Sequence, residues 1–148
     1  KRGAVRSALA ALALTPEEKK PLEEKLQKAE RWDRFVRLSR GEHNIYLAST
    51  ALRMEDEALG ESGARLGVTL SDLSSLPLLS GGYCATMCHA RIGVKVPPET
   101  VKAFGKTMPH QAHAEMMGCV TCHRIGAHKA VSLRDGVKQS VCAGCHPE

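Results

Sequence analysis

The six cysteines constrain this 148-residue chain more than any other feature of it. They form three clusters, Cys84 to His89 (CATMCH), Cys119 to His123 (CVTCH) and Cys142 to His146 (CAGCH), and no cysteine lies outside them. In every cluster the second cysteine is followed at once by histidine. Thiols one helical turn apart lie on the same side of the backbone, so a pair of them can form thioethers with the vinyl groups of a haem while the adjoining imidazole turns onto the iron. On this reading Cys84, Cys88, Cys119, Cys122, Cys142 and Cys145 attach three haem c groups, and His89, His123 and His146 are the proximal iron ligands. The first cluster places three residues, Ala85 to Met87, between its cysteines, and the i, i+4 relation still puts both sulfurs on one face.

Other uses of cysteine explain less. A disulfide framework gives no reason for a histidine after every second cysteine. Zinc sites would need a recurring four-ligand spacing, and a thioredoxin-like pair would occur once, in a βαβ setting. The second and third clusters resemble the attachment motifs of multihaem cytochromes c, and that resemblance implies maturation outside the cytoplasm, in the periplasm or extracellular space. It also implies export directed by a signal peptide that this chain does not contain.

Four histidines remain as distal ligand candidates: His43, His110, His113 and His128, one more than three irons need. His110 and His113 stand shortly before the second motif in PHQAHAEMMGCVTCH. That run resembles the paired-histidine segment of class III and other small three-haem cytochromes, which implies ligation of different haems. His128, in CHRIGAHKAV, lies in a run similar to one in membrane-anchored quinol-oxidising cytochromes of nitrate and nitrite respiration, where the second histidine ligates another haem. His43, Leu47, Ala51, Met54 and Ala58 follow a helical stripe, which puts His43 on the expected buried face. GEHNIYLASTALR around it resembles a ligand-bearing helix of multihaem nitrite reductases, which implies that His43 is a ligand; the first haem, with no histidine close upstream in its own segment, is the one it is expected to serve. The methionines, Met54, Met87, Met108, Met116 and Met117, are rival ligands that would raise a haem's potential.

Outside the clusters the chain reads as helices. A basic start leads into a short helix with Val5, Ala8, Leu9 and Leu12 on one side. Thr15-Pro16-Glu17-Glu18 is a capping signature with proline at the first helical position, and Leu22, Leu26, Ala29, Trp32 and Phe35 or Val36 continue as an apolar stripe to about Arg40. A third helix is expected from about Glu42 to Leu59, closed by Gly60, and a short one near Pro98 to Phe104. No strand pattern emerges. The expected fold is therefore mostly α, with a helical region, 1–78, supplying a distal histidine and packing on a compact three-haem region, 79–148, with little regular structure. Aromatic residues make up only 3% of the chain, so the macrocycles rather than large rings would form the C-terminal interior.

The net charge of +5 is offset by haem propionates, roughly six charges for three groups, which removes the case for nucleic-acid binding. Lys95, Lys102, Lys106, Arg124, Lys129, Arg134 and Lys138 could pair propionates or steer an acidic redox partner. No run approaches the ~18 apolar residues of a membrane span. The expected function is electron transfer between redox partner proteins, other multihaem cytochromes among them, through closely spaced, mainly bis-histidine haems. Catalysis is not expected of the chain by itself. The alternatives are reduction of a small molecule such as nitrite at the first haem, or a haem-bearing subunit of a homo- or hetero-oligomeric complex or filament.

Overall fold

The computed structural model describes residues 1–41, 44–125 and 131–147. It is mostly α-helical, with two short antiparallel hairpins, and divides into two compact units, Lys1–Asp72 and Leu73–Glu148.

The first unit contains α1 (Arg2–Ala11), α2 (Pro16–Leu38) and α3 (Ile45–Arg65). Helix α2 starts where the capping signature predicts. The Thr15 hydroxyl accepts from the Glu18 amide, and the Glu18 carboxylate accepts from the Thr15 amide at 2.9 Å. Pro21 lies inside α2 without ending it. Ion pairs from Asp33 and Glu55 to the shared Arg2, and from Lys25 to Glu61, show that α2 and α3 run antiparallel. Val5, Leu9, Leu22, Leu26, Ala29, Leu59 and Leu66 form the buried core, and each fully buried leucine contributes roughly 1.5–3 kcal/mol. Arg2 also ties α1 to both partners, but such partly exposed pairs add little beside the core.

Two expectations about α3 need correction. The helix passes through Gly60 and stops at Leu66, where Gly67 has φ +67°. There the Val68 amide donates to the Gly63 carbonyl at 2.8 Å and the Gly67 amide to Ala64 at 3.3 Å, the paired bonds of a Schellman ending. The stripe drawn through His43 also does not match the buried face. Leu47 is 45% exposed, whereas Ala48, Ser49, Ala51, Leu59, Ser62 and Gly63 are buried. His43 itself lies outside the described residues, as does His128.

The second unit has α4 (Pro77–Ser80), strands β1 (Val101–Ala103) and β2 (Lys106–Met108), α5 (His110–Met116), α6 (Cys119–Cys122), strands β3 (His123–Ile125) and β4 (Val131–Leu133), and α7 (Ala143–Cys145). The helix expected near Pro98 to Phe104 is instead the first half of a hairpin, with Val101 opposite Met108 and Ala103 opposite Lys106. Phe104 and Gly105, at φ +52° and +76°, form its two-residue turn, the geometry that suits the twist of paired strands. In the other hairpin His123 faces Leu133 and Ile125 faces Val131.

Tyr83 and Val137 are the buried hydrophobic residues among those described in this unit. Ile92, Val94, Phe104, Met116, Val131 and Leu133 are all exposed. The contrast with the first unit is one of interior: α1 to α3 enclose a leucine-rich core, whereas among the described residues of the cysteine-bearing unit Tyr83 and Val137 alone are buried hydrophobic side chains.

Candidate haem-attachment site

The three clusters adopt related but unequal turns. Cys84–Cys88 is a single π-helical turn, which fits the extra residue between its cysteines, and it runs into a 3-10 turn at His89–Ile92. Cys119–Cys122 forms one α-turn that ends as His123 enters β3. Cys142 closes a π-turn from Lys138, and α7 carries on to Cys145, with the His146 amide donating to the Cys142 carbonyl at 2.8 Å. All six thiols are outside disulfides.

The first and second motifs approach closely at α4. A Cβ on Gly118, the residue before Cys119, would stand 2.9 Å from Ser80 Cβ and 3.0 Å from its main-chain oxygen. One on Gly81 would meet Ile125 and Val120 side chains at 2.9 and 3.0 Å, and Cys119 Cβ at 3.3 Å. Only glycine permits this contact. Burial pushes the thiols of Cys119 and Cys122 above the ordinary cysteine range, the neighbouring Cys84 adding to the effect at Cys119 and Cys142 at Cys122. The thiol of Cys122 also contacts Met117 Sδ at 3.9 Å.

Helix α5 brings both of its histidines to the proximal candidates. The His110 ring lies 5.8 Å, centre to centre, from that of His123, and the His113 ring lies 6.1 Å from that of His146. At these spacings the two rings of each pair are close enough for their nitrogens to serve one metal at about 2.0–2.1 Å each. His113 Nδ1 stands 2.8 Å from the Pro109 carbonyl oxygen. A carbonyl only accepts, so Nδ1 carries the proton and Nε2 keeps the lone pair that a metal requires. His110 Nδ1 and His123 Nδ1 are buried without a hydrogen-bond partner among the described residues, a costly arrangement for polar nitrogens.

The donor set fits covalent haem: each cluster offers two thiols outside disulfides, and two of the clusters have a histidine of α5 with its ring within 5.8 to 6.1 Å of their own histidine. Of the methionines, Met116 is 72% and Met87 42% exposed. Among the described residues no group of three or more His, Cys, Asp or Glu side chains converges as a metal cage, the arrangement structural zinc would require.

Arg134 is a feature that sequence reading did not single out. Its amide donates to the Cys122 carbonyl at 2.9 Å, and its guanidinium Nη1 to the Val120 carbonyl at 3.2 Å. The sequence offers it only as one of several cations available to propionates, because three-residue strands carry no period that would place β4 beside α6. Arg124 engages Asp135 at 3.1 Å and Lys95 engages Glu99 at 2.5 Å, so these cations too have protein partners. Among the described residues no helix is long and apolar enough to cross a membrane. Comparison of the chain with protein-family models, curated proteins and solved structures finds no match.

Proposed function

We propose that this chain is a c-type cytochrome that carries three covalent haems and passes electrons between redox partners. The observation that carries the reading is the pair of ring spacings, 5.8 and 6.1 Å, each joining a histidine of an attachment motif to a histidine of α5. Attachment needs no oxidant: each cysteine adds across a vinyl double bond, its sulfur bonding one carbon and its proton going to the other. Bound haem supplies a one-electron iron couple.

The chain's own residues then determine what that couple can do. His110 with His123, and His113 with His146, would hold the irons of the second and third haems, and two protein imidazoles for each iron would favour electron passage over small-molecule reduction. His89 is the proximal ligand at the first motif. Pro109 fixes the His113 imidazole by accepting a hydrogen bond from Nδ1–H through its carbonyl. The setting of the reaction is the periplasm or another extracytoplasmic compartment, where covalent attachment takes place.

The test is spectroscopic. The ferrous holoprotein should leave the second and third haems unaltered by carbon monoxide, and His110→Ala should create a haem that binds it. Carbon monoxide binding to all the haems of the unsubstituted protein would contradict the relay.

A further inference from the structure

Resting on the haem reading, we infer that Arg134 is a positioning residue for the second attachment loop and a cationic control on the potential of the group held there. Arg134 reaches the CVTCH turn by two routes. Its main chain holds the carbonyl of Cys122 at 2.9 Å, and its side chain crosses to the carbonyl of Val120 at 3.2 Å. The Val120 carbonyl lies between the two cysteines, and the Cys122 carbonyl joins the second cysteine to the histidine of the same motif. The turn is therefore clamped from outside by one residue of the loop that follows β4.

The neighbouring charges explain why this arginine is available. Asp135, the adjacent carboxylate, is engaged by Arg124 at 3.1 Å. The Arg134 guanidinium instead donates to a neutral carbonyl, so its positive charge faces the motif without a carboxylate on that bond. A cation beside a redox centre disfavours the oxidised, more positive state and raises the reduction potential. Arg134 lies at the surface, so added salt weakens this influence. The planar fork matters as well as the charge: lysine offers a compact ammonium on a flexible stem and does not reproduce a guanidinium hydrogen bond held in one direction.

The experiment compares intact, haem-loaded wild-type protein with Arg134→Met and Arg134→Lys in redox titrations followed by EPR. In Arg134→Met one of the three couples should move to lower potential and its low-spin g-values should change, the other two couples staying in place. In Arg134→Lys the potential of that couple should stay near the wild-type value while its g-values change as in Arg134→Met, which separates the clamp from the charge. Couples and signals unchanged in a fully loaded Arg134→Met protein would overturn the role of Arg134. If that variant fails to mature, unchanged g-values in Arg134→Lys overturn the clamp. A wild-type intact mass without haem-sized increments would instead overturn the reading on which the inference rests.

Discussion

At His113 one hydrogen bond decides which nitrogen would be free for the proposed iron: Nδ1–H donates to the Pro109 carbonyl, which leaves the lone pair on Nε2. A comparable local bond starts α2. The amide of Thr15, then its hydroxyl, holds the Glu18 carboxyl below the usual carboxylate range. A depressed folded-state value means that this contribution to stability is fully present above the ordinary carboxylate pKa and is lost as pH falls through the lowered one. Glu18→Gln keeps an acceptor in the capping box but removes the titration. Its thermal midpoint is therefore expected to fall less steeply on acidification than that of the wild type, as followed by circular dichroism. Parallel acid profiles would show that the box does not operate this way.

Among the elements, the start of α2 was legible because Thr15, Pro16 and Glu18 are each required by the same local geometry. The end of α3 was not. Gly60 and Gly67 look alike in sequence, and only the structure shows that Gly60 sits in open space within the helix while Gly67 takes a left-handed conformation beyond its last turn. Gly60→Ala is expected to stabilise the first unit by about 1 kcal/mol through helix propensity, and Gly67→Ala to destabilise it by about 1 kcal/mol through backbone strain. Denaturant melts of both variants test the assignment, and the opposite order of stability would contradict it. The hairpins escaped notice for a related reason. Strands of three residues show no alternation to read, and Phe104-Gly105 lacks the asparagine or aspartate that usually marks such a turn.

Across the whole molecule, the two units have different kinds of interior. Residues 1–72 bury leucine and valine on one another, and their periodicity announced them as helices. Residues 73–148 hold six thiols outside disulfides and two pairs of imidazoles with ring centres 5.8 and 6.1 Å apart, and several of their large apolar side chains are exposed. The cysteine clusters and the histidine that ends each were legible as one repeated pattern along the chain, the spacing that the proposed porphyrin attachment would require. The pairing of His110 with His123 and of His113 with His146 was not, because it depends on how α5 lies against turns distant in sequence. The measurement that bears most directly on this account is the intact mass of the chain, purified from a host that matures c-type cytochromes and unfolded before ionisation. Three haem-sized increments above the 16.0 kDa polypeptide, retained through unfolding, are the predicted result, and the mass of the bare polypeptide would contradict it.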